Sequence, residues 1–142
     1  MAKNLTVSVS PHLHDGITTQ TIMRDVLIAL VPAVVASVVF FGVRALLVEA
    51  VCVAVAILCE WAFEKICKRP ITVSDLSAAV TGLLLALNLP SGIPLWQAAF
   101  GAFVAIVLVK QMFGGIGYNF ANPAITARVI MLVAFSGTMT SW

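Results

Sequence analysis

Residues 114 to 124 read Gly114-Gly115-Ile116-Gly117-Tyr118-Asn119-Phe120-Ala121-Asn122-Pro123-Ala124. Three glycines, two amides and a proline stand between two apolar segments, where a membrane helix should reverse. In a bilayer, broken backbone is tolerated only where protein covers it or a cavity receives it. The stretch therefore offers backbone amides and carbonyls to something. The second set of reactive residues is acidic. Glu49, Glu60 and Asp75 lie in or beside apolar runs, and intramembrane carboxylates are candidate ion ligands by default. Glu49 is the best placed, with Arg44 and Glu60 pinning it inside the apolar slab. Asn88, beside the Pro90 break, could lend a carbonyl to the same ion. The plain alternative is that a carboxylate near a helix end meets water or a neighbouring subunit.

Other chemistries are poorly supported. His12 and His14 are two ligands with no cysteine or carboxylate cluster nearby, which is short of a metal site. Cys52, Cys59 and Cys67 form no CxxC pair and read as small apolar helix residues, with intervals that could place them roughly on one face. A net charge of +2 and the absence of a basic run give no reason to expect a nucleic-acid partner.

The elements that must position these groups are membrane helices. The chain is 61% hydrophobic and only 10% charged, with a mean hydropathy of +1.09. Soluble domains carry roughly 25% charged residues. Its 142 residues leave room for about five spans. Residues 1–20 are polar and read as an interfacial lead-in to a transmembrane domain over 21–142. They lack the apolar core and cleavage site of a signal peptide, so the first apolar run is expected to be a retained span.

That run, Val26 to Val43, has 18 residues and reaches roughly 27 Å. Pro32 should kink it and Arg44 should close it. Ala45 to Cys67 follows as a second helix. Glu49 and Glu60 are separated by roughly 16 Å of rise, so at least one is immersed. Glu64 and Lys68 are spaced i,i+4, as at a wet helix end. Leu76 to Leu89 and Trp96 to Val109 are short, and a last helix is expected from Pro123 towards Trp142. Such short, Pro- and Gly-interrupted segments mark discontinuous helices in transport proteins. Lys3, Arg24, Lys65, Lys68, Arg69 and Lys110 predict a cytoplasmic N-terminus, with the 65–75 connection and the 110–123 stretch on the same side.

These pieces resemble a known family. Ser10-Pro11-His12-Leu13-His14 followed by Thr18-Thr19-Gln20-Thr21-Ile22-Met23-Arg24-Asp25 is similar to the start of RnfD, a membrane subunit of the Rnf complex. Ser74-Asp75-Leu76-Ser77-Ala78-Ala79-Val80-Thr81-Gly82, running on to Asn88-Leu89-Pro90, resembles its third-span motif. Gly114 to Ala124 followed by Arg128 resembles a motif shared with the related membrane subunit of the sodium-pumping NADH:quinone oxidoreductase. The resemblance spans essentially the whole sequence, with three motifs in order.

It implies an all-α integral membrane protein, one half of an inverted-repeat fold resembling urea transporters, in a subunit about twice this length. It implies a place in the cytoplasmic membrane of a bacterium or archaeon and, as partners, the other membrane, flavin and iron–sulfur subunits of an Rnf complex. The activity implied is ferredoxin:NAD oxidoreduction coupled to sodium or proton translocation, which this chain would not catalyse alone. The cofactors implied are a riboflavin and an FMN linked through phosphate to a threonine. That threonine belongs to a Ser-Gly-Ala-Thr type motif of the second half. Ser136-Gly137-Thr138-Met139-Thr140 lacks the Ala-Thr step, so covalent FMN is expected outside these residues.

Under this resemblance the 114–124 stretch gains a sharper reading beside a plain one. The plain one is a helix connection, with Asn122 as N-cap and Pro123 at the first helical position. The sharper one is a flavin contact. Asn119 and Asn122 would answer the ring edge, Gly114, Gly115 and Gly117 would admit close backbone approach, and Phe120 or Tyr118 would cover the ring face. Arg128 would either reach cytoplasmic headgroups or pair with a flavin oxygen or a buried carboxylate. The rival to this function is a solute channel or transporter half, and a third reading is a scaffold for redox subunits.

Overall fold

The computed structural model describes residues 19–71, 76–113 and 122–141, and every regular element among them is helical. Helix α1 spans Thr19–Phe41 and α2 spans Val43–Ile66. Both are apolar and long enough to cross a membrane. Helix α3, Ser77–Leu87, has only 11 residues, or roughly 16 Å, about half a bilayer core. Helix α4, Leu95–Phe103, continues as a π-helical segment, Val104–Lys110, and a 3₁₀ turn, Gln111–Phe113. Helix α5 spans Pro123–Ala134 and α6 is the short turn Ser136–Met139.

Each break has a local cause. Between α1 and α2 a single residue, Gly42, takes φ 80 and ψ −169, a conformation open essentially to glycine alone. The corner therefore lies at Gly42, two residues before the Arg44 expected from charge. Arg44 falls in the first turn of α2. Helix α1 stays continuous through Pro32.

The end of α2 is a Schellman turn. Arg69 N–H donates to Glu64 O at 2.9 Å and Lys68 N–H to Lys65 O at 3.4 Å, with Lys68 left-handed at φ 55. This corrects the expected Glu64–Lys68 helix pair. Lys68 has left the helix, and Glu64 is buried at 2% exposure instead of wet. The cysteines also differ from a shared face. Cys52 is buried, Cys59 is half-buried, and Cys67 is the exposed C-cap.

Helix α3 packs closely on α2. A Cβ on Gly82 would meet Cys52 O at 2.8 Å, with Ala56 Cβ and Val53 Cα both at 3.0 Å. Small residues at such a crossing bring backbones together, the usual device of helix pairs in lipid. On the far side, Gly101 of α4 admits Leu85 and Met131. The edge-to-face pairs Trp96–Phe135 and Phe100–Phe135 fix α4 against the α5–α6 junction. The last helix stops at that junction near Phe135, short of the expected run to Trp142.

The distribution of polarity is that of a membrane protein. Val39, Phe40 and Val133 are 73%, 79% and 81% exposed, while Glu60 and Lys110 are 0% and 2% exposed. In water this arrangement would strand charge inside and grease outside. In lipid, apolar side chains face the solvent and ionisable ones turn inward.

Candidate functional site

Seven residues of α2 share its buried face: Ala45, Val48, Glu49, Cys52, Ala56, Glu60 and Glu64. Intervals of three and four residues keep them on one stripe. Three glutamates thus turn into the protein from one helix. The sequence required only that one of Glu49 and Glu60 be immersed. Both are, about three turns apart on the same face.

Glu60 is held where three elements converge. Lys110 Nζ, from the last residue of the π segment, donates to Glu60 Oε1 at 2.5 Å. The same ammonium donates to the hydroxyl of Ser77, the first residue of α3. Gln111 Nε2 donates to Glu60 Oε1 at 2.8 Å. Arg69 reaches over from beyond α2 and donates to Gln111 O at 3.0 Å. Opposite charge, with hydrogen bonds to Glu60 Oε1 and to the ammonium, offsets much of the cost of burying this pair. Lys110 and Gln111 stand shortly before the glycine–asparagine stretch in the sequence.

The sequence reading missed Lys110, Gln111 and Ser77 as site residues. A signal did exist. An immersed Glu60 needs a cation, and Lys110 is the one that closes the fourth apolar run. Nothing in the spacing, however, paired residues 50 positions apart.

A second polar point lies at mid-chain. Helix α3 ends inside the bundle, and its last carbonyls need donors. Asn88 Nδ2 donates to Leu84 O at 2.7 Å, and Arg128 Nε donates to Asn88 O at 2.9 Å. A cation at a helix C-terminus also suits the helix dipole. Among the described residues Arg128 meets a backbone carbonyl and not a carboxylate. It serves the end of α3. Asn88 gives its backbone carbonyl to Arg128 and its amide nitrogen to its own helix.

At the opposite end from Glu60, Glu49 faces α1. Ser37 Oγ lies 2.5 Å from Glu49 Oε1 and 2.7 Å from Val34 O. Glu49 and Ser37 line a cavity of about 40 Å³ with Phe41, Ala45, Ala86 and Ser91. Nearby, Arg44 Nη2 donates to Ile93 O at 3.1 Å and ties the Gly42 corner to the 88–94 loop.

Of the remaining sequence candidates, Asp75, Gly114, Gly115, Gly117, Asn119 and Phe120 lie outside the described residues. Asn122 is the N-cap of α5. Its Oδ1 accepts from Ala124 N at 3.0 Å and Ile125 N at 3.4 Å, with Pro123 following. Its acceptor oxygen is therefore occupied, and the amide nitrogen is the part a ligand could use. Thr138 Oγ1 contacts Gln97 Oε1 at 2.7 Å and donates within the turn to Phe135 O at 3.0 Å. Both contacts give this hydroxyl a structural role.

Two cavities among the described residues do not fit a flavin. The cavity beside Glu49 has room for a few waters at most. The groove formed by Cys59, Ala62, Phe63, Ile66, Phe103 and Val107 is apolar throughout and offers no donors to a ring edge.

Fold and site together define a polytopic membrane protein in which buried Glu60 is paired with Lys110 across short, interrupted helices. Residues 6–142 match the model of the NQR2, RnfD, RnfE family, and the chain belongs to that family. Three curated relatives are the RnfD-type members of ion-translocating complexes. The chain is 49% identical over 97% of its length to that of the Na(+)-translocating ferredoxin:NAD(+) oxidoreductase complex of Acetobacterium woodii. It is 43% identical over 94% of its length to that of the ion-translocating oxidoreductase complex of Shewanella piezotolerans. With that of the proton-translocating ferredoxin:NAD(+) oxidoreductase complex of Clostridium ljungdahlii it shares 41% identity over 99% of its length. These matches cover 43%, 39% and 43% of the relatives, respectively. The chain spans about two fifths of the length of the curated relatives it matches.

Proposed function

We propose that this chain forms part of the membrane subunit of a redox-driven ion pump of the ferredoxin:NAD oxidoreductase type. In this reading it lies in the cytoplasmic membrane of a bacterium or archaeon, with its N-terminus inside. Its partners are the other Rnf subunits, and its helices form one half of an inverted repeat like that of urea transporters. The observation that carries the reading is the buried Glu60–Lys110–Ser77–Gln111 cluster, set directly before the family's Gly114–Ala124 motif. Redox chemistry and ion movement need a place where charge can be held inside the membrane, beside a segment able to contact a cofactor.

In this reading Gly114, Gly115, Gly117, Asn119, Phe120 and the Asn122 amide nitrogen border a non-covalent flavin. Arg128 holds the end of α3. FMN belongs on a threonine of the longer subunit, outside these residues. A flavin supplies one- and two-electron transfer when bound, and these residues would bind and orient it. Glu49, Asp75 and Asn88 are the candidates for the ion route. The relatives' names include both sodium- and proton-translocating complexes, so relatedness alone does not choose the ion.

The test uses the full-length subunit in its complex. Asn122→Ser keeps the helix cap and removes the amide, whereas Asn122→Ala removes both. If the flavin reading holds, both variants and Asn119→Ala lose non-covalent flavin. If flavin content is unchanged in all three while Asn122→Ala alone loses stability, the stretch is only a helix connection.

A further inference from the structure

The groove between α2 and the helix formed by α4 and the π segment holds about 220 Å³. Cys59, Ala62, Phe63 and Ile66 line it from α2, and Phe103 and Val107 from the other side. On α2 the spacing is i, i+3, i+4, i+7, which makes one stripe over the last two turns. The lining is apolar throughout, so it has no partner to offer a water or a polar ligand.

One end of the groove has the opposite character. Ile66 is the last residue of α2, and Lys68 and Arg69 follow in the Schellman turn. Both are exposed, as is Lys65. The Arg69 guanidinium stands 5.5 Å from the ring of Phe63, a lining residue. It commits one of its five N–H donors to Gln111 O. Lys65 Nζ lies 4.7 Å over the ring of Trp61, which is 42% exposed. The acids of this helix end, Glu60 and Glu64, are buried. Among the described residues, the accessible charge at this end of α2 is therefore positive. An exposed tryptophan beside a lysine marks a membrane–water interface. The groove thus runs from the headgroup level into the hydrocarbon.

Size and charge select the occupant. A cavity of about 150 Å³ already takes a benzene ring, so this one admits a length of acyl chain. A helix with its side chains is about 10 Å across and would lodge only single side chains in it. An acyl chain also brings no backbone polar groups into an apolar slot. We propose that the groove binds one anionic phospholipid. Its acyl chain lies between α2 and the α4–π helix, and its phosphate sits at Lys65 and Arg69, with Lys68 adding to the positive field. Basic pockets beside membrane helices recognise anionic headgroups in this way. The site depends on the membrane setting of the chain and not on the flavin or the ion route.

Photo-crosslinking of the complete complex with the full-length subunit tests it. The complex is placed in phosphatidylcholine bilayers containing a small fraction of phosphatidylglycerol with a diazirine in one acyl chain. Phosphatidylethanolamine carrying the same label is the comparison, and labelled residues are mapped by mass spectrometry. Phosphatidylglycerol should label residues 59–66 and 103–107, and phosphatidylethanolamine should label them far less. Lys65→Gln together with Lys68→Gln should weaken that labelling about fivefold for each charge removed and leave labelling elsewhere unchanged. Ala62→Phe, which fills the groove and keeps every cation, should abolish it. Equal labelling by the two lipids would mean ordinary bilayer lipid and would overturn the site. Labels on other surfaces but none in the groove would mean that protein covers it, and would overturn the site as well. If Ala62→Phe fails to assemble, the lysine pair decides alone, and labelling that survives its loss undiminished contradicts the proposal.

Discussion

The buried ion pair of Glu60 and Lys110 is the residue-scale feature on which most depends. Removing one member of a buried pair strands the other, at a cost of about 3 to 5 kcal/mol. Lys110→Met should therefore destabilise the complex strongly, and so should Glu60→Leu. The double variant Glu60→Leu with Lys110→Met should recover much of the loss, because no charge is stranded. Thermal unfolding of the purified complex reads the cycle, and purely additive losses would contradict the pairing. Lys68 offers a smaller test with the opposite sign. It is left-handed at φ 55 in the Schellman position, where glycine carries no Cβ penalty. Lys68→Gly should stabilise by about 1 kcal/mol, seen as a raised unfolding temperature. At this scale the sequence was partly legible. That at least one of Glu49 and Glu60 is immersed followed from the thickness of a bilayer. Their different fates did not, because a salt bridge across 50 residues is a tertiary fact.

At the scale of elements, the short α3 organises the bundle. It ends in the interior because Pro90 stops it, and Asn88 and Arg128 make that end tolerable by supplying donors. Arg128→Met should loosen the Asn88–Pro94 turn, and faster backbone hydrogen exchange there is the measurement. Unchanged exchange would argue that the bond to Asn88 O is dispensable. The α2–α3 crossing depends on Gly82, where a Cβ would meet Cys52 O at 2.8 Å. Gly82→Val should force the helices apart and cost about 1 to 3 kcal/mol, lowering complex yield and melting temperature. A variant of wild-type stability would contradict the close crossing. The helices themselves were readable from apolar run length and from Pro and Gly punctuation. Their ends were less so. Arg44 drew the first boundary by charge, whereas the physical corner is the positive-φ Gly42. The π segment over Val104–Lys110 has no signature in hydropathy, yet it helps set the direction in which Lys110 points.

For the whole molecule, apolar exposure outside and paired charge inside make the bilayer the reference solvent, as composition alone implied. The family was legible because three motifs keep their order, and motif order survives where contacts cannot be read. The flavin and the ion route were not legible in the same way. The motif thought to hold the flavin lies mostly outside the described residues, and Asn122 at its end is already engaged in capping α5. What joins the scales is one arrangement: a charge-paired cluster towards one end of α2, and a carboxyl facing a small cavity towards the other. The most direct measurement is made on the purified complex with the full-length subunit, reconstituted in vesicles and supplied with a low-potential electron donor and NAD. The account predicts a flavin absorbance in the preparation and ion uptake that depends on electron transfer. A colourless preparation that passes a neutral solute without any redox driving force would contradict it.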